Sequence, residues 1–233
     1  MSYLHYVKVI GTMHVSPRSR EEVVRTILEE RPHAVAIELD RTRFLAMNEN
    51  RRMTLEEALR FGRKGLINYV LAKVEEKLGE EFGMKPGEEM KAAISAAQTL
   101  GVPLYLIDED INLILAKIVA APAREKFLMA LESLSVFLPA GTTGGPSDVM
   151  GDYKIMMMQF KRRYPYLYRV LVEERNEVMV RNLISIVDSL KARSIRTPRV
   201  VAVVGLGHKP GIEHLLDSVK EKVSAPPSQN RYW

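Results

Sequence analysis

Four short runs of β-branched and aromatic residues constrain the fold of this 233-residue chain more than any other feature. Residues 34–39 (AVAIEL) and 199–204 (RVVAVV) are almost continuously apolar, which is typical of strands buried on both faces. Residues 6–10 and 103–107 supply two further strand-like runs, and long helical patterns separate the runs from one another. The sequence therefore predicts an α/β fold, with a small, mostly parallel central sheet of about four strands and extensive helical insertions.

The order of these patterns predicts one domain over residues 1–223, followed by a flexible tail at 224–233. A helix that opens at Ser16 and Pro17 joins the first two strands, which predicts that they form a parallel pair. A helical insert is expected at roughly 41–100 and a helical region at roughly 110–194. The glycine-rich loop at 141–146 is either a mobile lid or a plain connector.

Composition limits the chemistry and the location of the chain. It contains no cysteine, which excludes disulfides and thiol nucleophiles, so a bound metal must use histidine and carboxylate ligands. The longest mostly apolar stretch, Ile111–Ala123, includes Asn112 and Lys117 and is too short to span a bilayer. With no signal sequence either, the chain is expected to be a soluble, cytoplasmic protein as given. The net charge of +5 favours anionic partners only modestly, and the presence of only three glutamines indicates a heat-adapted source.

Each of the four predicted strands ends near a residue suited to catalysis or metal binding. His14 follows the first strand, Glu38 ends the second, Asp108 follows the third and His208 follows the fourth. Because the carboxyl ends of parallel strands line one crevice, these four side chains are expected to converge. They suit a divalent ion such as zinc, manganese or cobalt, with an open position for a water molecule that attacks a carbonyl carbon.

The two histidines share one local frame, Gly-x-x-His between a strand and a helix that opens with proline, which predicts two related halves. Gly11 and Gly205 allow a sharp turn after each strand and leave room for a substrate. In the long helical pattern at 166–190, Arg175 falls on the apolar stripe and faces inward. A buried guanidinium needs an anionic partner, so Arg175 is expected to pair with Glu38 or Asp108, or to stabilise a developing oxyanion.

Simpler interpretations exist for the same carboxylates. Glu38 closes an apolar strand and needs a partner there, which Arg41 or Arg43 would provide. Asp108 opens an acidic run, residues 108–110, that would cap the following helix. The remaining histidines lack the Gly-x-x-His frame and are expected at the surface: His5, His33 and His214.

Four segments stand out along the chain: Gly11-Thr-Met-His14-Val-Ser16, Ile37-Glu38-Leu39-Asp40 with Arg43, Glu174-Arg175-Asn176 with Met179, and Gly205-Leu-Gly-His208. In this order, and over nearly the whole chain, they resemble the TraB/PrgY family. The resemblance implies a fold like that of erythromycin esterase and ChaN, and a relationship to the Tiki metalloproteases. By this likeness, His14, His208 and Glu38 correspond to the paired Gly-x-x-His motifs and the strand-end glutamate, and Arg175 to the family's helical arginine.

The resemblance also implies a function and extends the candidate site. Tiki-like members are metal-dependent peptidases, and PrgY-like members limit the activity of a peptide pheromone. Further candidate site residues are Gly11, Asp40, Arg43, Asp108, Glu174, Asn176 and Gly205. The chain departs from the family where Asp108-Glu109-Asp110-Ile111 replaces an Asp-Arg-Asp-Ile-like run, which reverses one charge. Many relatives carry membrane helices after this domain, so membrane association is expected only for a longer form of the chain.

The leading hypothesis is a metal-dependent peptidase in which His14, His208 and Glu38 hold the metal or activate its water, while Arg175 stabilises the tetrahedral intermediate. The substrate would be a peptide or a small molecule, and a homo-oligomer is compatible with the sequence. A second hypothesis is a non-catalytic protein that sequesters a peptide or tetrapyrrole in the same pocket. A third is nucleic-acid or anionic-membrane binding through residues 161–169, where cations and aromatics alternate, although this run is not a strong nucleic-acid signal.

Overall fold

The computed structural model describes residues 1–12, 17–49, 54–62, 87–128 and 149–220, together with residues 65 and 69. A 3₁₀ turn (Tyr3–Tyr6) leads into β1 (Val7–Thr12), α1 (Pro17–Glu30), β2 (Ala34–Ile37), α2 (Arg41–Glu49) and α3 (Leu55–Arg60). Next come α4 (Glu88–Leu100), β3 (Leu104–Leu106), α5 (Ile111–Val119) and α6 (Val149–Arg163). The chain continues through α7 (Pro165–Tyr168), a π-helical turn (Arg169–Glu173), α8 (Glu174–Ala192), β4 (Val200–Gly205) and α9 (Lys209–Ser218).

The four strands named above form one parallel sheet in the order β1-β4-β2-β3, which confirms the predicted α/β fold. β4 lies in the sheet interior, with Gly205 beside Thr12 of β1 and Val203 beside Ile37 of β2. The prediction that β1 and β2 pair directly was wrong. Both run in the same direction, but β4 inserts between them, and the local sequence pattern contains no signal for this long-range pairing.

Alternate residues of the strands pack into two separate hydrophobic cores, one on each face of the sheet. On one face, Val9, Ala36 and Ala202 pack with the 3₁₀ turn, α8 and α9. On the opposite face, Val35 and Val203 pack with α1 and α4. Because both faces are covered, every residue of β2 and β4 is buried, which explains why these two strands are continuously apolar in sequence.

The helices lie where the sequence patterns place them. α2, α3 and α4 fall within the predicted insert at 41–100, and α5 to α8 within the predicted helical region at 110–194. The loop at 141–146 and the tail at 224–233 lie outside the described residues. In the part of the chain that is described, no helix combines the length and the hydrophobicity needed to cross a membrane.

Candidate functional site

The carboxyl edge of the sheet collects polar side chains at the ends of its strands. Glu38 directly follows β2, Asp108 lies just beyond β3, and Gly205 ends β4 with His208 in the turn that leads to α9. All three side chains, those of Glu38, Asp108 and His208, are buried. His14, the predicted counterpart beyond β1, lies outside the described residues.

Glu38 lies at the centre of this cluster. Its Oε1 accepts a hydrogen bond from Arg175 Nη2 at 2.5 Å and faces His208 Nε2 at 3.3 Å. Its Oε2 accepts a hydrogen bond from the Gly205 N–H at 2.6 Å, which ties the end of β2 to the end of β4. Burial acts to raise the pKa of Glu38, but His208, Arg175 and the Gly205 N–H together hold that pKa well below its usual range. Glu38 is therefore a buried carboxylate that stays ionised.

Asp108 is held between two guanidinium groups. Arg175 Nε and Nη2 donate to its two carboxylate oxygens at 3.0 and 2.6 Å. Arg43 donates from Nη2 to Asp108 and from Nε to Asp40. Burial acts to raise the pKa of Asp108, but its contacts with Arg175 and Arg43 lower it below the usual range. Burial acts to lower the pKa of each arginine, but the carboxylates raise it, through Asp108 and Asp40 for Arg43 and through Asp108 and Glu38 for Arg175, so both arginines stay charged. The cluster is thus an alternating chain of carboxylates and guanidinium groups.

His208 is oriented by Asn176 of α8. Its Nδ1 lies 2.7 Å from Asn176 Oδ1, so the Nδ1–H donates to the amide and Nε2 points towards Glu38. With the ring proton on Nδ1, the Nε2 lone pair faces a carboxylate oxygen, which is favourable only when a proton or a metal cation lies between them. Gly211 of α9 makes room for this arrangement, because a Cβ there would collide with the Asn176 amide.

The charges of the cluster leave room for a cation. Three buried carboxylates meet two guanidinium groups: Glu38, Asp40 and Asp108 against Arg43 and Arg175. Within the described ranges, no group of three histidine or carboxylate side chains is arranged to hold a metal ion. The two facing donors, His208 Nε2 and Glu38 Oε1, are therefore a partial ligand set. When His208 is neutral, the five carboxylates and guanidinium groups named above carry one negative charge in excess.

The sequence model of the TraB/PrgY/gumN family matches residues 5–144 and 145–223, a range that includes the whole cluster. The chain therefore belongs to the TraB/PrgY/gumN family. This confirms the resemblance that the sequence motifs indicated, and the match covers nearly the whole chain.

Relatives from an archaeon and from mammals illustrate the range of the similarity. A Methanocaldococcus jannaschii protein described as uncharacterized is 34% identical over 221 residues, which cover 92% of this chain and 54% of the relative. The TraB domain-containing proteins of mouse and human are 28% and 29% identical over 253 residues, which cover 95% of this chain and 66% of each relative. The chain thus spans about half the length of the archaeal relative and about two thirds of the mammalian ones.

Most of the candidate site residues meet in this one cluster. They are Glu38, Asp40, Arg43, Asp108, Arg175, Asn176, Gly205 and His208. Arg175 faces inward and pairs with both predicted carboxylates. The simpler interpretation of Glu38, as a partner of Arg41 or Arg43, was wrong. Arg43 donates to Asp40 and Asp108 instead.

Two candidate site residues among those described lie outside the cluster. Gly11 packs beneath the turn after β4, where a Cβ would meet the side chains of Leu206 and Lys209 at 3.1 Å. Glu174 forms an ion pair with Lys117 at 2.9 Å on the outer side of α8. Gly11 thus serves the close approach of two segments, and Glu174 has no contact with Glu38 among the described interactions.

Several polar residues outside the cluster have structural roles. Asp110 caps α5 by accepting a backbone N–H of its first turn at 2.7 Å, so the capping interpretation of the acidic run holds for this member. His5 and His214 are exposed, as predicted. His33 is partly buried, and its Nδ1 accepts a hydrogen bond from the Arg199 N–H at 3.0 Å.

Two cations of residues 161–169 lie over aromatic rings of the same run. Lys161 lies 5.0 Å from the centre of the Tyr168 ring and pairs with Glu173 at 2.7 Å. Arg169 lies 5.0 Å from the centre of the Tyr166 ring. These contacts involve two of the four cations of the run, and nucleic-acid binding there stays a prediction.

Sequence reasoning missed two features near the site. The first is the π-helical turn before Arg175, in which the Glu174 N–H donates to the carbonyl of Arg169, five residues earlier. Tyr153 lies on α6, and its hydroxyl oxygen lies 2.5 Å from the position that a Cβ of Gly207 would take. No local motif marks this tyrosine, and the only available signal was the second glycine of Gly-Leu-Gly-His, which permits a close approach.

Proposed function

We propose that this TraB-family chain is a metal-dependent hydrolase that cleaves peptide bonds. The observation that supports the metal most directly is the buried pair formed by His208 Nε2 and Glu38 Oε1, which face each other at 3.3 Å. Asn176 fixes the imidazole, while Gly205 and Arg175 fix the carboxylate, so both donors are held before a ligand arrives. A peptide is the proposed substrate because the family resemblance includes metal-dependent peptidases and proteins that limit a peptide pheromone.

The two donors fit a divalent ion such as zinc, manganese or cobalt. Imidazole nitrogen and carboxylate oxygen are common ligands of these ions, and a 3.3 Å separation suits two ligands of one ion. The excess of one carboxylate in the cluster also favours a cation. His14, from the matching Gly-x-x-His motif, is the proposed third ligand. When bound, the ion supplies Lewis acidity towards a water molecule and a substrate carbonyl.

Arg175 acts as a positioning residue in this proposal. Each nitrogen of its guanidinium donates to an acceptor: Nε to Asp108, Nη1 to the Leu171 carbonyl, and Nη2 to Glu38 and Asp108. A guanidinium engaged in this way keeps the carboxylates ionised and oriented, and has little donor capacity left for an oxyanion. We therefore assign Arg175 to holding Glu38 rather than to stabilising the tetrahedral intermediate directly.

The test combines metal binding and peptide cleavage. Metal-free protein is titrated with Mn²⁺, Co²⁺ or Zn²⁺ in a calorimeter, and each loaded form is incubated with a degenerate hexapeptide library that is analysed by mass spectrometry. The wild-type chain should bind the ion and cleave members of the library. Glu38→Gln and His208→Ala should each weaken metal binding by about 10-fold or more and abolish cleavage. Glu177→Gln and His214→Ala, at exposed positions of α8 and α9, are the matched controls and should behave like the wild type.

Two outcomes would count against the proposal. Metal binding and cleavage that persist in a His14→Ala, His208→Ala double variant would refute the assigned site. Retention of peptides without cleavage, whichever ion is added, would refute the hydrolase and support a sequestering protein.

A further inference from the structure

Tyr153 is a partly buried phenol beside the cluster that the proposed mechanism does not use. Its hydroxyl is the atom nearest to the place where a Cβ of Gly207 would lie. Gly207 stands in the turn after β4, between Gly205, which donates to Glu38, and His208. The hydroxyl therefore reaches the same short turn that carries two members of the candidate site.

Among the described residues, none forms a hydrogen bond with the Tyr153 hydroxyl. Within that part of the chain the hydroxyl is therefore available as a donor. Of the side chains that the structure describes, the next nearest to the same point is the apolar end of Met157. Burial, the charge of Glu38 and the nearby Tyr168 raise the pKa of Tyr153, so the phenol keeps its proton at neutral pH. When a ligand supplies an acceptor, the hydrogen bond to a partly buried donor of this kind makes the free energy of binding more favourable.

We propose that Tyr153 is a substrate-binding residue whose hydroxyl donates a hydrogen bond to a carbonyl oxygen of the bound peptide. The identity of the ligand rests on the proposed function, whereas the position of the hydroxyl does not. The proposal also explains the second glycine of the Gly-Leu-Gly-His motif. A side chain at position 207 would occupy the space of the phenol oxygen and displace it from the site.

The position of the hydroxyl is tested by stability alone, on the metal-free chain. Gly207→Ala places a methyl group against the Tyr153 hydroxyl, so it should lower the melting temperature by about 2–10 °C. In a Tyr153→Phe background the methyl group meets the ring carbon at 3.7 Å, an ordinary contact, so most of this loss should disappear. An equal loss in both backgrounds would overturn the placement and the proposal with it.

The binding role is tested with the same hexapeptide library, read both as cleavage and as retention on the immobilised chain. Tyr153→Phe should raise KM for a cleaved peptide by about 3- to 10-fold, with little change in kcat or in the affinity for Mn²⁺. Tyr105→Phe, which removes a partly buried hydroxyl on β3, is the matched control and should leave KM unchanged.

The outcomes separate this proposal from the hydrolase itself. If the wild-type chain retains peptides without cleaving them, the hydrolase fails, and Tyr153→Phe should then weaken retention by the same factor. The wild-type chain is expected to show either cleavage or retention of peptides. If Tyr153→Phe and Tyr105→Phe give the same value in that measurement, the binding role is wrong. It is also wrong if the wild-type chain neither cleaves nor retains any peptide of the library.

Discussion

Replacing Arg175 with methionine removes the guanidinium that joins two buried carboxylates. The side chain of Arg175 is 12% exposed, that of Glu38 8% and that of Asp108 0%, so water cannot replace the lost partner. Removal of one member of a buried ion pair typically costs about 3–5 kcal/mol in the free energy of unfolding. For a chain of this size that loss corresponds to a fall of about 6–20 °C in melting temperature. Because Arg43 still pairs with Asp108, the loss should lie in the lower half of this range.

The loss should also depend on pH. In the wild-type chain the pKa values of Glu38 and Asp108 lie below their ordinary values, so their ion pairs stabilise the fold above the ordinary carboxyl pKa. This stabilisation is lost as the pH falls. Without Arg175, burial raises the pKa of Glu38 with less opposition, and protonation then relieves the buried charge. The deficit of Arg175→Met should therefore be largest at about pH 7 and smaller at about pH 5.

Urea unfolding followed by circular dichroism measures the free energy of unfolding at both pH values. Arg181→Met, at an exposed position of the same helix, is the control and should change this free energy by less than about 0.5 kcal/mol. Adding Glu38→Gln to Arg175→Met should recover part of the loss, because the unpaired charge is then absent. The prediction is wrong if Arg175→Met is as stable as the control, or if its deficit is the same at both pH values.

Glu38→Gln should make the free energy of unfolding less sensitive to acid between about pH 7 and about pH 3, because the variant lacks a carboxylate whose pKa is lowered by folding. An acid titration followed by circular dichroism that is unchanged from the wild type would contradict this. Glu125→Ala should cost about 1–3 kcal/mol in urea unfolding, since this buried carboxylate accepts two N–H groups at the start of α7 at 3.0 Å. Glu177→Ala is its exposed control, and equal stability of the two variants would refute the capping role. Asn176→Ala should weaken calorimetric metal binding by about 10- to 100-fold, because His208 loses the acceptor that orients it; wild-type affinity in this variant would argue against such a role.

The sequence by itself determined the strands and the edge of the sheet at which polar residues collect. Hydrophobic periodicity and turn residues are local properties, so the four strands were predicted close to their observed bounds. Glu38, Asp108 and His208 were identified because each comes at or soon after the end of a strand, and parallel strands end at a common edge. The inward position of Arg175 followed in the same way from the apolar stripe of its helix.

Only the tertiary structure decided which of these residues meet. In that structure β4 lies between β1 and β2, and Glu38 pairs with Arg175 rather than Arg43. The Tyr153 hydroxyl lies against the turn that carries His208. Each of these contacts joins segments that are far apart in the chain. Their energies depend on the distance between two groups and on how completely both are removed from water, and neither quantity is encoded in a local pattern of residues.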